Sequence, residues 1–289
     1  MTTQPQIKSV QCISPAGLHK MVYKEWGDPT NPNVLVCVHG VTRVSDDFDN
    51  IAAALCDKYR VICPDVVGRG RSDWLRNPAY YVIPQYMSDM MTVLARLDVE
   101  KVDWIGTSMG GLIAMPLASL PGNPIRKLVL NDVGPALDMT SLVSIADYIG
   151  QDLRWSSYED AETYIRAISV PFGPHTDAEW NKMARSVLRQ LDDGQWTRHY
   201  DIRLASPFKD AYFNNVEASE SILWQAYDAI QAPTLLIRGA QSGLLMTETA
   251  QAMTQRGPRA KLVEFEGVGH APTLMHDDQI SVIKDFLLD

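Results

Sequence analysis

Residues 101–111 read KVDWIGTSMGG: an apolar run, a serine flanked by glycines, then the start of a helical pattern, GGLIAMPLASLP (110–121). A bare G-x-S-x-G match says little, but one lying between a strand and a helix marks a sharp turn that holds Ser108 exposed at its tip. Glycine is expected at 106 and 110, because side chains there would collide with the neighbouring strand and helix. Without further partners, Ser108 would be only a helix cap. A neutral hydroxyl is a poor nucleophile and needs a base to take its proton. His270, in the Gly-rich stretch EGVGHAPTL (266–274) after the last strand-like run, is the candidate. His19, His175, His199 and His276 have no comparable placement and are expected at the surface or in structural roles.

Outward from this turn, short apolar runs alternate with helical patterns. VLVCVHG (34–40), YRVICPD (59–65), KVDWIGTS (101–108), KLVLND (127–132), PTLLIRG (233–239) and AKLVEFEG (260–267) read as buried parallel strands. FDNIAAALCDKY (48–59) and PQYMSDMMTVLARLD (84–98) read as helices between them. The alternation predicts an α/β fold, a doubly wound, mostly parallel sheet whose ligands bind at the carboxyl ends of the strands. Between about Pro135 and Ile230 strand-like runs vanish and Trp, Tyr and helix formers take over. So long a segment cannot be a plain loop. It predicts a helical cap, 135–230, inserted between core strands formed by 1–134 and 231–289. Trp155, Trp196 and Trp224 are its candidate substrate contacts, with packing as the alternative for each.

Composition narrows the partners. With 289 residues, 46% of them hydrophobic, the chain can bury a full core. A formal charge of −9 disfavours nucleic acid, which selects a basic stripe. No apolar run is long enough to span a bilayer, and the start, MTTQPQIKSV, has no basic and apolar secretion signal, so a cytoplasmic protein with no membrane partner is expected. The four cysteines form no CxxC pair and have no ligand-like spacing to His, which predicts reduced thiols, no metal site and no cofactor.

Acyl transfer also builds negative charge on a carbonyl oxygen, which backbone N–H groups can stabilise. In VCVHGVTR (36–43) the N–H of Val41 follows a strand end, and the N–H of Met109 follows Ser108; these are the candidate donors. Arg43, next to that turn, either binds a substrate carboxylate or pairs with Asp46 or Asp47. Arg69 and Arg71, in PDVVGRGRSDW (64–74), are expected to tie their loop down.

Taken in order, HGVTR, PDVVGRGRSDW, GTSMGG, LVLNDVGP (128–135) and GHAPTL resemble the α/β-hydrolase fold family, in particular its capped esterases, lactonases and C–C hydrolases. The resemblance spans nearly the whole chain. It implies nucleophilic attack by Ser108 with His270 as the base, and it also implies an acid. In enzymes of this kind the strand matching LLIRG runs into a loop bearing an Asp that orients the histidine, but here that position is Gly243. Glu248, the next carboxylate, is explained by helix capping.

Two explanations compete for this gap. The acid has moved to Asp132, at the end of the preceding strand-like run, about 4.8 Å away across the sheet. Otherwise the triad is broken at Gly243, an explanation favoured by the preserved residues around it. The sequence therefore predicts a serine hydrolase of small carboxylic esters or lactones, with C–C bond hydrolysis nearby, and a weakly active or inactive ligand-binding relative as the alternative.

Overall fold

A computed structural model of the chain describes residues 4–213 and 216–289, excepting the side chains of 211–213. Its centre is an eight-stranded sheet. In chain order the strands are β1 (Gln6–Ser14), β2 (Gly17–Trp26), β3 (Val34–Val38), β4 (Arg60–Asp65), β5 (Val102–Thr107), β6 (Ile125–Asn131), β9 (Thr234–Gly239) and β10 (Lys261–Phe265). Across the sheet they run β1-β2-β4-β3-β5-β6-β9-β10. From β4 to β10 every pairing is parallel.

β3 shows why such strands read as unbroken apolar runs. Val34, Val36 and Val38 enter one apolar cluster while Leu35 and Cys37 enter the other, so both faces are covered. Helices α2 (Ile83–Leu97) and α3 (Met109–Ala118) lie on the first face; α1 (Asp49–Leu55) and α10 (Asp277–Leu288) lie on the second. The buried side of α2 carries Tyr86, Met90, Val93, Leu94 and Leu97 at helical spacing, and the helix stops where Asp98 turns left-handed at φ 55°. Cys12, Cys37 and Cys63 are buried, and all four cysteines are free thiols. No helix among the described residues is long and apolar enough to cross a membrane.

Two features differ from expectation. The sheet opens with an antiparallel hairpin, β1 against β2, and β2 then pairs antiparallel with β4. Its alternation of exposed and buried residues, with Val10, Cys12 and Ser14 turned inward, is the period-two signal of a sheet packed on one face. The segment after β6 also contains a short hairpin, β7 (Leu188–Gln190) with β8 (Trp196–Arg198), where the sequence predicts no strand.

Otherwise that segment is helical: α4 (Met139–Ile149), α5 (Tyr158–Ser169), α6 (Asp177–Val187), α7 (Ala205–Phe213) and α8 (Val216–Ala229). Asp138, Ser157 and Thr176 cap α4, α5 and α6 through their side chains, the last in a reciprocal capping box with Glu179. α8 packs on α3 and sends Tyr227 into the sheet's core, so it returns the chain towards β9 instead of roofing the strand ends. α9 (Thr247–Gln255) follows β9.

Candidate active site

The turn at Ser108 is as tight as its glycines suggest. A methyl group on Gly106 would lie 2.5 Å from the Gly110 backbone, and one on Gly110 would press into the Val38 carbonyl. Ser108 itself has φ 50° and ψ −114°, a strained conformation for a residue with a side chain. The strain lifts its hydroxyl clear of the sheet. Ser108 Oγ lies 3.0 Å from His270 Nε2, and His270 Nδ1 lies 2.6 Å from Asp132 Oδ2. An ionised carboxylate only accepts, so Nδ1 carries the proton, and Nε2 is left free to accept from the serine.

The carboxylate hydrogen-bonded to the imidazole is therefore that of Asp132, the position weighed as a relocated acid, and Gly243 offers none. β6 and β9 are neighbours, with Asn131 opposite Ile237, so the residue after either strand emerges beside the same histidine loop. Asp132 turns out of β6 with φ 56°, is fully buried, and also accepts from Gly239 N at 3.0 Å and Ser242 Oγ at 2.6 Å. The end of β9 and the loop after it thus supply two donors that hold the carboxylate at the end of the adjacent strand. Gly243 serves instead as an anchor point. Its carbonyl accepts from Ser141 Oγ at 2.7 Å, and Leu244 O accepts from Asp138 N, which ties this loop to the start of α4.

The two candidate oxyanion donors flank the serine. A methyl on Gly40 would sit 3.7 Å from Ser108 Cβ, so Val41 begins the turn directly beside it. Among the described residues, neither Val41 N nor Met109 N has a hydrogen-bond acceptor in the protein. His39, fully buried, fixes this turn by accepting from Val66 N at 2.9 Å and donating to Gly40 O at 2.7 Å. Burial lowers its pKa to about 4, which keeps it neutral. Asn131 donates to Thr107 Oγ1 and to Pro272 O, linking the ends of β5 and β6 to the histidine loop.

Ser108 and His270 open into a cavity of about 780 Å³, bordered below by the strand-end loops and above by Ile145, Tyr148, Ile165, Phe172 and Met183 of the inserted segment. A smaller cavity of about 200 Å³ meets Ser108 from another side. Arg43 lines the larger one, but its guanidinium forks onto Asp47 at 2.6 and 2.8 Å, the structural alternative for this residue. Arg71 bridges Asp46 and Asp65, as expected of a loop tie.

The tryptophans do not line either cavity. Trp155 and Trp196 pair through their backbones and pack against Tyr164 and Tyr158. Trp224 lies on α8, against Tyr227 and under Arg256, away from the roof. Tryptophan richness marks the inserted segment's own core, and the cavity wall above Ser108 mixes aliphatic side chains with Tyr148 and Phe172. Arg69 ties its loop as expected, by donating to Val41 O and Val67 O, whereas three residues that shape the site escape a reading of the sequence: His39, Asn131 and Ser242. Only Asn131 carries a usable signal, as the strand-terminal neighbour of a candidate acid.

Comparison with known proteins identifies the fold family. Residues 33–277 match the family model described as the alpha/beta hydrolase fold. The chain is 51% identical, over 99% of both proteins, to a 3-hydroxybutyrate-oligomer hydrolase of Cupriavidus necator. It is 25% identical to an esterase of Mycobacterium tuberculosis, covering 92% of this chain and 84% of the other. The crystal structure of an alpha/beta hydrolase from Novosphingobium aromaticivorans superposes with a TM-score of 0.87 at 31% identity, covering 100% of this chain and 99% of that one. With a family model matched over residues 33–277 and relatives at 51% and 31% identity along nearly the whole chain, the protein belongs to the α/β-hydrolase fold family.

Proposed function

We propose that this hydrolase cleaves short carboxylic esters by acyl transfer through Ser108, and that its substrates are oligomers of 3-hydroxybutyrate or closely similar hydroxyacids. The observation that carries the chemistry is the continuous path from Asp132 through His270 to Ser108, at 2.6 and 3.0 Å, opening into the larger cavity. The substrate class follows the relative that shares half of the residues over the full length.

In this reading Ser108 Oγ attacks the ester carbonyl while its proton passes to His270 Nε2, and buried Asp132 stabilises the imidazolium. The N–H groups of Val41 and Met109 donate to the developing oxyanion, an effect of about 3 kcal/mol per donor. Collapse of the intermediate breaks the bond to the alcohol oxygen, which takes the proton back from His270. Water, deprotonated by the same imidazole, then releases the acid. No metal or cofactor is required for these steps. An inactive ligand-binding role finds no support in a triad with all its hydrogen bonds in place.

The test combines p-nitrophenyl esters, small lactones and the 3-hydroxybutyrate dimer and trimer with a serine-directed fluorophosphonate. Turnover with labelling at Ser108 is expected. Hydrolysis of the activated esters without any cleavage of the oligomers would remove the substrate class but leave the mechanism; absence of both turnover and label would remove the whole reading.

A further inference from the structure

The two cavities differ in one respect that bears on which part of an ester each can hold. Both touch Ser108 and Val41, but the larger is lined by His270 and the smaller is not. His270 must return its proton to the departing alcohol oxygen, so the alcohol portion lies beside the imidazole. The acyl portion, which stays on Ser108, is then directed to the other side.

We infer that the smaller cavity is an acyl subsite for a single short 3-hydroxyacyl unit, read at its 3-oxygen by Arg69 and Tyr86, so that oligomers are shortened one unit at a time from the hydroxyl end. This rests on the hydrolytic reading above and adds direction to it. Size supports it: at about 30 Å³ per water-sized group, 200 Å³ holds roughly six or seven such groups, close to the six or so non-hydrogen atoms of one 3-hydroxybutyryl unit. The larger cavity, about 780 Å³, has room for the remaining units as leaving alcohol.

Polarity supports it as well. Among otherwise mostly apolar walls, Arg69 is 1% exposed and, among the described residues, pairs with no carboxylate. Asp65 is engaged by Arg71 and Ser45 N, and Asp201 by Arg203 and Tyr81. Arg69 Nε donates to Val41 O at 2.9 Å, and Nη1 donates to Val67 O at 2.8 Å and to the Tyr86 hydroxyl at 2.9 Å. Nη2 reaches Met109 Sδ at 3.3 Å, a weak acceptor on a flexible side chain. A buried guanidinium with donor capacity turned towards a thioether is incompletely satisfied. Burial raises the pKa of the Tyr86 phenol and so keeps its proton, for which no acceptor is present among the described residues. A substrate hydroxyl oxygen, with two lone pairs, can accept from both groups. When Ser108 takes the terminal unit, the new Oγ–acyl bond replaces the ester bond to the next unit, that unit leaves as an alcohol with the proton from His270, and water frees the hydroxyacid.

Two ester series on the wild-type protein test the partition. Lengthening the alcohol of a butyrate ester should change kcat/KM little, whereas lengthening the acyl chain of an ethyl ester beyond about six carbons should abolish it. With the 3-hydroxybutyrate trimer, acid-quenched enzyme should carry one hydroxybutyryl unit on Ser108 by intact mass. Tyr86→Phe should lower the ratio of kcat/KM for 3-hydroxybutyryl over butyryl esters of one alcohol about tenfold, the value of one hydrogen bond; a structural role would lower both rates together. Efficient cleavage of long-acyl esters, or two or more units on Ser108, would overturn this inference alone. No turnover in either series would overturn the hydrolytic reading and this one with it.

Discussion

The strand-end loops and the helices above them border one cavity, yet they are held in place by different forces. Below, the relevant groups are fixed by buried directional bonds: Asp132 meets three donors, Asn131 ties two loops to its own strand, and His39 clasps the turn before Val41. Above, α4, α5 and α6 are set by side-chain caps and apolar packing, with Trp155 and Trp196 in a cluster of their own. Hydrogen-bonded geometry is specific to a few tenths of an ångström, whereas aliphatic packing accepts volume-conserving change. Chemistry is expected to depend on the lower set, and preference for the length and bulk of the substrate on the upper.

The sharpest way to break this contrast is to remove groups from the lower set. Ser108→Ala should reduce kcat by about 10⁶-fold with an unchanged circular dichroism spectrum. Asp132→Asn should cost about 10⁴-fold, since an amide cannot stabilise the imidazolium. Gly243→Asp, in contrast, should change kcat no more than about twofold, because His270 already has its carboxylate. A large gain from Gly243→Asp, with Asp132→Asn harmless, would return the acid to the loop after β9.

Stability against pH offers the next largest effect. His39, neutral in the folded protein, has a pKa of about 4 against an ordinary 6.5, so the unfolded chain takes up this proton first as pH falls. Stability is then lost between about pH 6.5 and 4, by up to about 3 kcal/mol from this group. Burial lowers His175 and His199 in the same direction. Urea midpoints measured across that range should fall with pH; a flat profile would mean that His39 is not held neutral.

Smaller effects come from above. Ile145→Ala, which opens the wall between both cavities, should shift relative kcat/KM among acyl chain lengths by about three- to tenfold. Trp224→Ala should instead cost about 1–2 kcal/mol in unfolding free energy and leave the substrate profile alone. If Trp224→Ala redistributed the profile as much as Ile145→Ala, the division between packing and contact residues would be wrong.

Much of the sheet is legible in the sequence because its strands are buried on both faces. VLVCV and LLIRG announce themselves as continuous apolar runs closed by glycine or a polar residue. β1 and β2 are hidden by mixed composition: QIKSVQCIS leaves Ile7, Ser9, Gln11 and Ile13 exposed, β2 buries Lys24 and Glu25, and neither reads as an apolar run unless period two is sought. Ser108 and His270 are readable because local backbone chemistry marks their turns. The acid is ambiguous for a physical reason. Its position depends on which strand neighbours β9, and adjacency across a sheet is tertiary information. The roof's apolar contacts are equally obscure, since Ile145 or Phe172 looks the same in the sequence whether it faces a cavity or a core.

The pairing of β6 with β9 has an evolutionary consequence. It brings the residues that follow two strands beside one histidine loop: Asp132 after β6 meets the imidazole, while the loop after β9 joins Gly243 to Ser141 and lends Ser242 to the carboxylate, so that an acid after β9 is a conceivable alternative partner. A lineage can therefore move its acid by first acquiring the second carboxylate and only later losing the original, with the like charge of the doubly occupied form as the main cost. At no step is the histidine left without a partner. On this geometry the reaction needs a carboxylate beside the imidazole and not at one fixed place along the chain, and chains that lack it in one loop remain candidates for activity.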